Sequence, residues 1–170
     1  MKEKSAEPWP PELWAEIIKN SHSAQVIWAA AVLEDLLGHL IGHHLPKLSN
    51  NLKGKLFDGT GPLATFSARI DIAFAMGHID DVTRGDLLHI KELRNEFAHS
   101  PQRLDLQSAE MRAIISKFAG YNGVKDPLIV YMDRVRAVVR HLKSRVPPEG
   151  LAKMMAAGLT GPDASPEKSE

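Results

Sequence analysis

Apolar residues recur along the chain at steps of three and four rather than two, a pattern that predicts helices and no strand. Leu13, Trp14, Ile17 and Ile18 follow Pro8, Pro10 and Pro11, which predicts a short first helix over residues 12–19 behind a proline suited to a first turn. From residue 23 to about residue 44, Val26, Ala30, Leu33, Leu37 and Leu40 form one line, while Gln25, Asp35, His39 and His43 lie off it. This predicts a long amphipathic helix stopped by Leu45-Pro46. A polar connection with a short turn at residues 51–56 then leads through Gly59-Thr60-Gly61-Pro62 into a helix over residues 63–76. Its stripe is Leu63, Phe66, Ile70 and Phe74, and Gly77 is its stop.

Asp80 or Asp81 can cap the next helix, which runs to Ser100-Pro101 with Val82, Leu87, Ile90, Arg94 and Phe97 on one broad face. The two form a central helical hairpin. Residues 109–118 supply a further helix, broken at Gly120 and Gly123. Pro127 opens the last, with Leu128, Met132, Val135, Val139 and Leu142 as its buried stripe. The fold predicted is all-α, a single compact domain of about six helices over residues 1–146 with no sheet. Residues 147–170 pass from PPEG through LAKMMAAGL to GPDASPEKSE, too poor in apolar side chains at the end to order themselves, and predict a flexible C-terminal appendage.

Composition narrows the function classes. Lys and Arg number 21, as do Asp and Glu, so no overall field draws the protein to nucleic acid or to an anionic membrane, and such binding needs a local patch. The absence of cysteine removes disulfides, thiolate metal sites and a cysteine nucleophile. The opening MKEKSAEPWPPELW has no apolar core of the kind an export signal needs, and no stretch reaches the roughly 20 apolar residues that span a bilayer. A cytoplasmic location without membrane attachment is expected.

Five stretches stand out together: Leu56-Phe57, Gly61-Pro62-Leu63-Ala64-Thr65-Phe66-Ser67-Ala68-Arg69-Ile70, Ala75-Met76-Gly77-His78-Ile79, Asp86-Leu87 and Arg94-Asn95-Glu96-Phe97-Ala98-His99-Ser100. In order and spacing they resemble the mannitol-operon repressor family, over about residues 24–118. The resemblance implies a helical bacterial regulator that lowers expression of mannitol-uptake genes.

A repressor is expected to meet DNA, and the hairpin over residues 73–95 has the alanine-to-glycine spacing of a helix-turn-helix in Ala73 and Gly77. Two positions expected to be apolar in its second helix are Thr83 and Asp86, however, and its leading turn carries Asp80 and Asp81 with only Arg84 to offset them. A packed helical hairpin is the preferred reading.

Arg94-Asn95-x3-His99 also resembles the Arg-polar-x-x-x-His signature of HEPN-type endoribonucleases. In that chemistry His99 would move protons during 2′-hydroxyl attack and Arg94 would hold the phosphate, with no metal. Five residues of straight helix turn through about 500°, leaving the two side chains about 140° apart, so they converge only if the helix ends near His99 or a second subunit contributes. The plainer account, which we prefer, makes Arg94 the partner of a carboxylate, joins Asn95 to His99 one turn on, and sets His99 at the negative end of a helix.

Asp35, His39 and His43, with His44 beside them, share a helical face, but three ligands from one helix cannot surround an ion, so no metal site is expected. Arg134, Arg136, Arg140, Lys143 and Arg145 form a basic stretch suited to phosphates or an acidic partner. Arg69, inside an apolar helix, needs a buried partner, for which Asp86 and Glu96 are the candidates, and these three are expected to form a polar core. Phe57, Phe66, Phe74 and Phe97 fit a core.

The reading is a transcriptional regulator that acts through protein–protein contacts, without cofactor and without catalysis. It reaches nucleic acid indirectly or weakly through another regulatory protein, and is compatible with a homodimer. Two other classes remain: a HEPN-like metal-independent endoribonuclease built on Arg94, Asn95 and His99, and a repressor that binds DNA directly through the helix carrying Arg134 to Arg145.

Overall fold

The computed structural model describes residues 11–99 and 105–146, and side chains from residue 22 onward. Among these residues there are six helices and no strand: α1 Pro11–His43, α2 Asn50–Phe57, α3 Phe66–Ala75, α4 Asp81–His99, α5 Ala109–Ile115 and α6 Pro127–Ser144. The all-α expectation is met. The appendage expected over residues 147–170 lies outside the described residues.

The first two predicted helices are one. α1 runs unbroken for 33 residues, or about 50 Å. Lys19-Asn20-Ser21-His22-Ser23 is polar but contains neither proline nor glycine, and residues of this kind cost only a few tenths of a kcal/mol each in a helix that already exists. The short turn expected at residues 51–56 is a complete helix, α2, capped by the Ser49 hydroxyl, which accepts from the Leu52 amide at 3.3 Å.

α1 also amends the expectation that no stretch could span a bilayer, since His22–His43 is long and apolar enough by length and composition. Half of that window is packed inside the protein, with Val26, Ala30, Leu33, Leu37, Leu40 and Ile41 at most 1% exposed. A core helix requires this.

The chain forms two compact units, and α1, α4 and α6 each contribute to both. Among the described residues, one unit joins 11–32 with 85–99 and 105–136, and the other joins 33–84 with 137–146. In the first, Val26 and Ala30 of α1, Leu87, Ile90 and Leu93 of α4, Met111 and Ile115 of α5, and Tyr131 of α6 are buried. The Tyr131 hydroxyl donates to the Val26 carbonyl at 3.2 Å, which satisfies the one polar atom of the largest fully buried side chain.

In the second unit Leu33, Leu37 and Leu40 are buried, as the line predicted on α1 requires, and so are Phe57, Leu63, Phe66 and Ile70, while Leu63 stands before α3 and Phe74 is only half-buried. The turn after α3 is built by Gly77, whose φ of +72° lets its amide reach the Phe74 carbonyl and the His78 amide reach Ala73, each at 2.9 Å. This pair of bonds satisfies carbonyls that the end of a helix otherwise leaves bare. Asp80 then caps α4, its Oδ1 accepting from the Thr83 amide at 2.7 Å.

Two predicted faces are rotated. On α4 Val82 is 54% exposed, whereas Thr83 and Asp86 are 6% and 2% exposed. On α6 the buried residues are Val130, Tyr131, Val135, Val138 and Leu142, while Leu128, Met132 and Val139 are only half-buried. On α4 the buried face takes in two polar residues that pattern alone assigns outward, and the place of Asp86 is explained by the pairing described next.

Candidate functional site

Glycine, threonine and arginine in the stretch from Gly61 to Ile70 each have a local structural task. A Cβ on Gly61 would stand 2.4 Å from the Leu56 carbonyl oxygen, so only glycine lets the loop lie against the end of α2. The Thr65 hydroxyl caps α3 by accepting from the Ala68 amide at 3.2 Å. Arg69 reaches back from α3. Its Nε donates to the Leu63 carbonyl at 2.8 Å, Nη1 to Glu34 at 3.0 Å and Nη2 to Phe57 at 3.3 Å, with its Cζ 5.5 Å from the Phe57 ring centre.

Arg69 does have a buried role, but its partners are backbone carbonyls of α1, the end of α2 and the loop, not the expected Asp86 and Glu96. A guanidinium carries five N–H donors in a planar fork and suits three carbonyls in different directions better than one carboxylate. Gly38 makes room for it on α1, since a Cβ there would stand 3.2 Å from Arg69 Nη1. Among the described residues, the carboxylate that comes within ion-pair distance is exposed Asp35, at 4.0 Å. Glu96 is exposed.

Asp86 is buried with a different arginine. Arg134 Nε donates to Asp86 Oδ2 at 2.8 Å, Arg134 Nη2 donates to the same oxygen, and the Ala119 amide approaches Oδ1 at 3.5 Å. Arg134 therefore leaves the group of surface cations expected on α6. The inward placement of Thr83 and Asp86 also removes one objection to a DNA-reading hairpin, because both occupy core positions and Asp86 is neutralised there. The exposed Asp80 and Asp81 at the start of α4 remain against it.

α4 stays helical from Asp81 through His99. Arg94 and His99 therefore point about 140° apart on a continuous helix. His99 is exposed, while Arg94 is half-buried with its Nε lacking a hydrogen-bond partner. Asn95 is half-buried. The geometry within one chain does not join this pair into a proton-transfer site.

Asp35, His39 and His43 are all exposed on α1, and among the described residues no three His, Asp or Glu side chains gather in a group suited to a metal. Asp35, His39, Lys53, Asp58 and Arg69 line a cleft of about 150 Å³ in which opposite charges face one another. Burial, Lys53 and Arg69 hold the His39 imidazole below its ordinary pKa, against the pull of Asp35.

Of the remaining basic residues, Arg145 at the end of α6 lies near histidines distant in sequence. His44 and His78 stack with ring centres 3.9 Å apart at 26°, and His141 Nε2 lies 3.1 Å from the His78 carbonyl oxygen. Burial, His44 and Arg145 lower the His78 pKa. Arg140, Lys143 and Arg145 are exposed. No sequence signal links residues 44, 78 and 141, so this cluster was out of reach of spacing arguments.

Residues 26–135 match the family model described as mannitol repressor, a span that covers well over half of the chain and all of the Arg69 and Asp86 arrangements. The chain belongs to the mannitol repressor family. Among solved structures, the X-ray structure of the MtlR–HPr complex from Escherichia coli is similar, with a TM-score of 0.52 at 18% identity, covering 79% of this chain and 87% of that one. At that identity the likeness shows a shared fold. No curated protein matches the chain. Gly61, Arg69 and Asp86, which stand in the stretches that carry the resemblance, each make a contact between separate elements of the chain.

Proposed function

We propose that this chain is a transcriptional regulator of mannitol-uptake genes that acts through protein–protein contacts, with HPr as its partner. The membership of residues 26–135 in the mannitol repressor family carries the reading. The fold shared with the MtlR of an MtlR–HPr complex supports the choice of partner. The surface is consistent with it. Trp28 is 71% exposed and Ile27 40% exposed on α1, and a solvent-facing tryptophan beside a second apolar side chain is the kind of anchor around which protein interfaces form. The acidic start of α4 disfavours a duplex at the hairpin.

Isothermal titration of the full chain with HPr from the same organism tests the proposal. A saturable 1:1 complex with a dissociation constant of about 10 µM or tighter is expected, weakened at least tenfold by Trp28→Ala. Absence of heat and of co-elution at about 100 µM of each protein overturns the choice of partner.

A further inference from the structure

The connection from α1 to α2, together with one side of α2, leaves an apolar groove open. Leu45, Pro46, Leu48, Leu52 and Leu56 line it with Lys47, around a volume of about 240 Å³. A cavity of about 150 Å³ takes a benzene ring, so the groove has room for one or two aliphatic side chains. Leu52 is 41% exposed and Pro46 is exposed, while Leu45, Leu48 and Leu56 are half-buried. Apolar side chains gathered at the surface in this way are relieved of contact with water only when something covers them.

The end of α6 comes close to the same place. His141 Nε2 lies 3.1 Å from the His78 carbonyl oxygen, the charge of Arg145 one turn later acts on His78, and the His78 ring stacks on His44 with centres 3.9 Å apart. Leu45, the next residue, begins the groove. Val146 is buried, and Pro147-Pro148 bars α6 from continuing. From Val146 to Leu151 is a reach of about 17 Å when the chain is fully extended. There LAKMMAAGL begins, with Leu151, Met154, Met155 and Leu159 at the spacing that shares one face of a helix.

We propose that residues 151–159 dock through Leu151, Met154, Met155 and Leu159 into the groove formed by Leu45, Pro46, Leu48, Leu52 and Leu56 of the same chain. The proposal is independent of the choice of HPr as partner. Size favours a tethered occupant. A stable contact between separate proteins draws on about 20–30 residues a side, against six lining residues here, whereas a segment on a short linker meets its site at an effective concentration of about millimolar and needs only a weak contact. Methionine, unbranched and flexible, also fits an irregular groove.

Charge agrees with this occupant. Lys47 lines the groove and Lys55 stands three positions on from Leu52 on α2, and both are exposed and enter no ion pair among the described residues. The stretch that follows the segment carries Asp163, Glu167 and Glu170 against Lys168. The attraction is small and screened by salt, so the apolar contact is the main one.

The chain has no cysteine, so introduced thiols report alone. Maleimide labelling of Leu52→Cys is expected to be at least fivefold slower than labelling of Leu52→Cys with Leu151→Ser, Met154→Ser and Leu159→Ser. In Leu52→Cys with Met155→Cys, oxidation should join the two thiols within one chain at least tenfold faster than in Val124→Cys with Met155→Cys. Val124 is 85% exposed and lies ahead of α6, a helix of 18 residues and about 27 Å. The three serine substitutions should slow the bond between positions 52 and 155 at least fivefold, which a tether without docking would not do.

Circular dichroism checks that each variant folds. Equal labelling with and without the serines, or a bond formed as fast from Val124→Cys as from Leu52→Cys, overturns the proposal. Cross-linked dimers in place of closed monomers do the same, by assigning the groove to a second copy. Labelling slowed only when HPr is added would assign the groove to that partner, which supports HPr and overturns this docking.

Discussion

Arg134 closes on Asp86 with two N–H groups directed at one carboxylate oxygen, and Asp86 is only 2% exposed, so the ion pair lies within the core between α4 and α6. A buried carboxylate left alone carries a large desolvation cost, whereas removing both members can leave a packed apolar core. Asp86→Ala or Arg134→Met alone is expected to cost about 3 kcal/mol in urea unfolding, and Asp86→Leu with Arg134→Met clearly less than the sum. Additive losses would show that the two side chains act independently.

Arg69 is expected to be as important to the second unit. Arg69→Met leaves the carbonyls of Leu63, Glu34 and Phe57 without their donor and should destabilise by about 2–4 kcal/mol. Gly38→Val should act in the same direction by pushing the guanidinium off α1. Thermal melts read both, and a wild-type melting temperature for Arg69→Met would show that the three bonds contribute nothing.

Stability should decline on mild acidification. His39 and His78 both have lowered pKa values in the fold, so between the ordinary imidazole pKa of 6.5 and their folded values the unfolded chain binds more protons. Their contribution is complete above pH 6.5 and is lost as pH falls through the folded pKa. Urea midpoints should fall from pH 7 to pH 5, with a shallower fall in His78→Gln. An unchanged slope in that variant would contradict the assignment.

Purified protein is expected not to cleave single-stranded RNA in EDTA, because Arg94 and His99 diverge on one continuous helix and Glu92 and Glu96 stand beside them. Arg94→Ala and His99→Ala should alter stability or partner binding instead. Cleavage to cyclic-phosphate ends that both variants abolish while still folded would replace the regulator by an enzyme.

The isolated chain should bind its own promoter no more tightly than unrelated DNA in gel shifts at physiological salt, given equal numbers of acidic and basic residues and the aspartates leading α4. A sequence-specific complex with nanomolar affinity would restore direct repression.

Pattern in the sequence was sufficient for the helical class, for the buried line of α1 and for Phe66 and Ile70 of α3, for the stops at Gly77 and Pro46, and for a cap at Asp80 or Asp81, because these depend on residues within a few positions of one another. The family resemblance was legible too, since it rests on order and spacing. What the sequence alone left open was the continuity of α1 past residues 19–23, where no breaker stands. It also left open the rotation of α4 and α6, because an aspartate and an arginine 48 positions apart pair with each other and so allow Asp86 to occupy a core position on α4. The carbonyl partners of Arg69 and the meeting of His44, His78 and His141 were likewise decided only by the tertiary structure. Backbone acceptors carry no residue identity, and imidazoles brought together by packing leave no mark in spacing along the chain.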